Sequence, residues 1–187
     1  MNGKAVKQIK GVALVTFVKV IRANKSGIYD KYLKEEDLTV INKKIVDQLW
    51  YPYETFKRCF SAVYEVVGNK NEAKVKDWGR LYAEAIMTTN FKITIKENKP
   101  LEHLKRIPGY LTHFFDFGVA DVKVEDPNRV FLKISDLDPD YPLIYIFLNG
   151  WLQRVAELCG AKNVQCEFID KSWMNKSNTT SYRITWE

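Results

Sequence analysis

Two histidines and three cysteines are all that this 187-residue sequence offers for thiol and imidazole chemistry. Cys59, Cys159 and Cys166 are odd in number and include no Cys-x-x-Cys pair. That argues against a disulfide framework and against a zinc site built on paired cysteines. They read as small buried hydrophobes of a protein in a reducing cytoplasm. An enzyme using Cys59 or Cys166 as nucleophile is the competing reading, and alkylation at neutral pH separates the two. His103 and His113 stand with Pro108 between them and no Cys or Asp at ligand spacing, so both read as surface or capping groups. Gly-x-Ser-x-Gly, the phosphate-binding Gly-rich motifs and His-Glu-x-x-His are all missing. No apolar run approaches the roughly 20 residues that span a bilayer. The expectation is therefore no catalytic residue, no cofactor, no metal and no membrane span.

Charge excludes less. The net charge is +6, distributed as +5 over residues 1–50, +3 over 51–100, −3 over 101–150 and +1 over 151–187. A basic amino-terminal half could face nucleic acid, but its lysines and arginines are scattered among acids with no Arg-rich helix or zinc-finger spacing. It reads as a solvated face, with no nucleic-acid partner. Lys4, Lys7 and Lys10 before Val12–Val18 copy the layout of a secretion signal. Lys19 and Arg22 interrupt the far end of that run, and no small-x-small cleavage site follows. Helical spacing of Ile9, Val12, Ala13, Thr16, Phe17 and Val20 predicts an amphipathic helix over 9–23 instead.

What the chain has in quantity is aromatic side chains, 13% of residues, including five Trp and ten Tyr. They suit a thick core or an aromatic-lined pocket. After Gly27 the pattern predicts a short helix over Ile28–Lys34 and another from about Asp37 to Leu49, broken at Trp50-Tyr51-Pro52 by proline. Phe56, Cys59, Phe60, Val63, Tyr64 and Val67 form the next helical stripe. A helix over about 71–88 carries Gly79 and Ala83 on one face, where a neighbouring helix can come close. Residues 91–95 are ambiguous, with β-branched content between helices. Pro100 opens a helix through Phe115 that Pro108 must kink or break.

The last third is the most regular. Gly118–Glu125 alternates, with Val122 and Val124 on one face and Asp121, Lys123 and Glu125 on the other. Asp126-Pro127-Asn128 supplies a turn, and Arg129–Ser135 alternates again. Asp136, Asp138 and Asp140 form a solvated loop that caps a long apolar helix over 141–159, in which Gly150 removes a side chain beside Trp151. Strands follow over Asn163–Asp170 and through Tyr182, Ile184 and Trp186, joined across Ser172–Thr179. The fold class is α+β: amino-terminal helices, then β-β-α-β-β, an antiparallel sheet with helices packed on one face. One domain covers 1–187, helical to about 115 and sheet-and-helix beyond. Tyr110, Phe114, Phe147 and Trp151 are the candidate lining of a ligand pocket between helices and sheet.

The order Leu49-Trp50-Tyr51-Pro52, Gly79-xxx-Ala83, Ile107-Pro108, Phe114 to Gly118, Gly150-Trp151-Leu152, Glu157 to Val164 and a closing Trp186 resembles an uncharacterised bacterial family. That family is named for myxobacteria and has no known function. It is similar in turn to the 4-vinyl reductase and heme-NO-binding-like group, and to one subunit type of the TRAPP tethering complex. The resemblance spans about residues 45–187. It implies a non-enzymatic ligand-binding or sensory module in signalling, with a hydrophobic, apolar or acyl-like small molecule as ligand and a homodimer or signalling protein as partner. The alternative it leaves is an interaction or scaffold module that dimerises through a helix face. Relatives of the 4-vinyl reductase kind carry Cys and Gly-Asp residues in the last hairpin. Here that segment, Ser172–Thr179, holds no Cys, His, Asp or Gly, so no metal is expected there. Neither histidine matches a heme-binding motif.

Overall fold

The computed structural model describes residues 6–89 and 99–187. The ambiguous stretch 91–95 lies outside them. The chain gathers into two compact units. The first runs to Asn71 and takes in Thr112–Phe117, and the second comprises Glu72–Leu111 and Gly118–Glu187.

In the first unit, a short strand β1 (Gln8–Lys10) leads into α1 (Gly11–Ala23), so the amino-terminal helix begins two residues later than its periodicity predicts. β1 pairs antiparallel with β2 (Trp50–Pro52), the segment that proline removes from helix. A bridge from Phe115 to Ile9 extends this small sheet. The predicted helix over 28–34 is a single 3-10 turn, Asp30–Tyr32. The predicted helix from 37 to 49 is α2, Glu35–Ile41, only seven residues long. It stops early, and the carbonyls from its end onward turn to α1, those of Ile41 and Lys43 accepting from the Arg22 guanidinium. Those of Leu49 and Asp47 accept from the N–H groups of Gly11 and Val12 (2.8 and 3.1 Å), which have no partner inside α1. α3 (Tyr53–Val66) packs on α1 through an aromatic cluster, with Phe17 stacked on Phe60 at 4.6 Å and edge-on to Phe56 at 5.6 Å.

The second unit is the sheet with its helices. α4 (Glu72–Thr89) is the helix predicted over 71–88, and it packs along α7 (Pro142–Leu158). The helical stretch after Pro100 is two helices, α5 (Pro100–Leu104) and α6 (Ile107–Phe114). Pro108 explains the break, since it has no N–H for the Leu104 carbonyl and its ring would collide with that group. The sheet holds β3 (Val119–Asp126), β4 (Arg129–Ser135), β5 (Gln165–Asp170) and β6 (Thr179–Thr185) in the order β3-β4-β6-β5, all antiparallel. Val122 and Val124 pair with Leu132 and Val130 on the inner face, as the alternation requires. Val130, Leu132 and Ile134 are buried beneath the helices, while the outer face carries charge.

Two smaller expectations give way. Tyr141, rather than one of the three aspartates, holds the cap position of α7 and makes no side-chain cap bond, and Pro142 opens the helix. The connection between β5 and β6 contains a helical turn, α8 (Ser172–Asn175), closed by Lys176 in the left-handed region at φ 51°.

Candidate functional site

α7 is buried on nearly its whole circumference, which marks a helix at the centre of its unit. One face meets the sheet. Asn149 Nδ2 donates to the Cys166 carbonyl at 2.8 Å, and Tyr182, fully buried on β6, donates its hydroxyl to the Tyr145 carbonyl at 3.0 Å. A second face meets α4 at Phe147 and Gly150. A third carries Trp151, whose ring is edge-on to Tyr110 of α6 at 5.8 Å and 76°.

The four predicted lining residues therefore separate. Tyr110 and Trp151 come together, both buried. Phe147 is half-buried and turned toward α4, where Tyr82 lies 5.6 Å away. Phe114 belongs to the first unit, with its ring edge-on to His113 at 5.2 Å. His103, expected at the surface, is 3% exposed on α5, which packs against α7 and β4. Burial and the Lys10 charge hold the His113 imidazole below its usual pKa, so it is neutral near pH 7.

Sequence reasoning missed the polar interior at one end of the sheet. Thr180 Oγ1 donates to Ser172 Oγ (2.9 Å) and accepts from the Ser172 N–H (3.1 Å). Ser172 Oγ donates to the Pro139 carbonyl (2.9 Å). Around them Tyr145 stacks on Trp173 at 5.5 Å, and Phe168 packs against Tyr182 at 4.9 Å. These groups satisfy one another and fill that end. The one available signal was Thr180, which shares the inward alternation of β6 with Tyr182 and Ile184.

The cysteines are poorly placed for nucleophilic chemistry. All three are free and buried. Burial pushes Cys59 and Cys166 up to about 12 and Cys159 up to about 11. A thiol so raised holds almost no thiolate near pH 7, and thiolate is the reactive form. A maleimide challenge of the native protein at pH 7 should leave all three unlabelled on the timescale that labels them fully in urea; rapid native labelling of Cys59 or Cys166 would revive the enzyme reading. No cluster of three or more His, Cys, Asp or Glu able to hold a metal occurs among the described residues.

A hollow of about 710 Å³ lies on the outer face of the sheet, lined in part by Lys123, Glu125, Arg129, Glu167 and Arg183. Its charges are largely paired, Arg183 with Glu125 at 3.0 Å and Arg129 with Asp126 at 2.9 Å. It is polar and open, unlike a cavity for an apolar molecule. No described helix is long and apolar enough to cross a membrane.

No protein-family model matches the sequence, and no curated protein does. Solved structures do match. An oxygen-binding H-NOX domain related to soluble guanylate cyclases superposes with a TM-score of 0.66 at 13% identity, over 96% of this chain and 95% of its own. The Fe(II) unliganded H-NOX protein from K. algicida gives 0.66 at 11%, over 96% and 97%. A mutant H-NOX of T. tengcongensis gives 0.65 at 12%, over 96% and 98%. At this identity the likeness establishes the fold: the chain has the α+β architecture of the H-NOX domains, which is among the heme-NO-binding-like folds that its landmarks point to.

Proposed function

We propose that this chain is a non-enzymatic sensory domain that binds a small apolar molecule and passes its bound state to a protein partner. The observation that carries this reading is the H-NOX architecture over 96% of the chain. Support also comes from Ser172, Thr180 and Tyr182, whose buried hydroxyls are committed to internal hydrogen bonds, and from three buried thiols, none of them aimed as a nucleophile. Tyr110 and Trp151 are the ligand contacts in this reading, each an apolar ring with one polar tip. The landmarks Trp50-Tyr51-Pro52, Gly150-Trp151 and Trp186 favour kinship with the myxobacterial-type family within that fold, and three free buried thiols suit a reducing cytoplasm.

Heme is the second reading, because matching structures concern heme distortion and heme redox potential. The donor chemistry fits in one respect. His103 is a buried imidazole and would hold the iron. A heme bound there would supply an iron able to take a diatomic gas. His103 would otherwise serve as a packed core side chain.

Native mass spectrometry of the gently purified protein, beside a hemin titration followed in the Soret region, decides between these readings. The apolar-ligand reading expects a copurifying mass that Trp151→Ala loses, and no Soret shift. A one-to-one Soret band abolished by His103→Ala would replace it with heme. Binding of neither, in a folded protein, would sink the sensory reading and favour a scaffold.

A further inference from the structure

Among the described residues, the sheet ends on β3 and β5, each with a single neighbour. Alternate residues of such a strand turn N–H and C=O away from the sheet, open to another strand. β3 is the longer of the two, and no proline interrupts it. Most of its side chains are exposed, Val119 62% and the inner-face Val124 41%, with Ala120 and Val122 half-buried. Natural edges are blunted by charge, proline, bulges or cover, but the inner-face residues of β3 are Ala120, Val122 and Val124, and its one register shift falls at the far end, between Val124 and Asp126.

We propose that β3 pairs antiparallel with β3 of a second copy of this chain, on a two-fold axis at Val122, so that Asp121 of each copy faces Lys123 of the other. Self-pairing must keep residues of one sheet face opposite each other, which leaves few registers. An axis at Lys123 sets lysine against lysine and Asp121 against Glu125. An axis at Asp121 sets aspartate against aspartate. An axis at Val124 would match Lys123 with Glu125, but Arg183 already holds Glu125 at 3.0 Å, and Val122 would face Asp126. The axis at Val122 escapes these objections. Asp121 faces Lys133 across the β3–β4 pair, but neither Asp121 nor Lys123 makes a salt bridge among the described residues. Ala120 then covers the exposed Val124, and Val122 meets its own copy, extending the apolar inner row. β5 has no such solution: its outer-face residues Gln165 and Glu167 include no cation.

A single strand pair buries less than the roughly 800 Å² per partner of a standard interface, so the dimer should be weak and concentration-dependent. Sedimentation velocity of the full chain over a concentration series tests it, with circular dichroism to verify that each variant is folded. Asp121→Lys and Lys123→Asp should each weaken self-association about tenfold or more, because two facing pairs become like-charged. Mixing the two single variants, or combining them in one chain, should restore the dimer, since opposite charges then face each other again. A wild type that stays monomeric throughout overturns the proposal. So do single variants that dimerise like wild type, or a mixture that fails to associate. Loss in Lys123→Asp alone, with Asp121→Lys unaffected, overturns it in favour of the axis at Val124.

Discussion

Gly79→Ala and Gly150→Ala should each lower the unfolding free energy by about 3 kcal/mol, the upper end of the overpacking range. The two glycines sit where α4 crosses α7. A methyl at Gly79 would run into the Phe147 carbonyl, and one at Gly150 into the Lys76 carbonyl. What is struck is backbone within a helix, so no side chain can swing aside and the whole crossing must open. Alanine is the better helix former by roughly 1 kcal/mol, and the measured loss is net of that gain. The same crossing is tied at one end by Arg80, bidentate to Glu157 at 2.9 Å, and by Arg154 to Glu84 at 3.2 Å. Separating the helices strains these bonds as well. Gly109→Ala on α6 is the control, because a methyl there has nothing within 4 Å. It should be neutral or slightly stabilising. Urea unfolding gives all three numbers, and an unchanged slope identifies a change in stability rather than in compactness. The double variant should lose less than the sum, since one displacement relieves both clashes. Losses below about 1 kcal/mol would mean that the crossing is loose.

That contact was readable before any coordinates, because it is written locally. Gly79 and Ala83 fall four residues apart in an amphipathic helix, and Gly150 interrupts a run of large apolar residues. The β3–β4 hairpin was readable for the same reason, with alternation on both sides of Asp126-Pro127-Asn128. Features fixed by distant partners were not. Gln8–Lys10 continues the helical spacing of α1 yet is a strand, since its pairing partner lies some forty residues away at Trp50–Pro52. α2 ends at Ile41, where the carbonyls of Ile41 and Lys43 serve Arg22 of α1, a partner some twenty residues away. The candidate site suffered from the same blindness. Periodicity placed Phe147 and Trp151 on one side of a helix, four residues apart. Only the positions of α4 and α6 decide that one faces Tyr82 and the other Tyr110. His103 looked like a surface residue because nothing in its neighbourhood announces that α7 and β4 close over it.

Asp37→Asn should destabilise the first unit by about 3 kcal/mol and flatten its response to acid. Asp37 has no exposed surface and takes two hydrogen bonds from Arg58, Nε to Oδ2 at 2.6 Å and Nη2 to Oδ1 at 2.8 Å. It also accepts from the Lys34 N–H at 2.8 Å, closing the first turn of α2. Removing one member of a buried pair commonly costs about 3–5 kcal/mol, because the other is left charged and under cover. Arg58 keeps some contact with water and a bond to Glu36 at 2.6 Å, which argues for the lower figure. The pH dependence follows from the same contacts. Burial by itself would raise the Asp37 pKa, but hydrogen bonds from Arg58, Lys34 and Thr55, with the Arg58 charge, hold it below the ordinary carboxylate value. An unfolded Asp titrates near 3.9. Above about that pH the pair contributes its full stability, and as pH falls further through the lowered folded value the contribution is lost. Wild type should therefore weaken steeply below about pH 4, where Asp37→Asn, already without the pair, changes less. Chemical unfolding at steps from pH 7 down to 3 measures both effects at once. Equal slopes for the two proteins in the acid range would show that Asp37 is not held ionised by Arg58, whatever the loss at neutral pH.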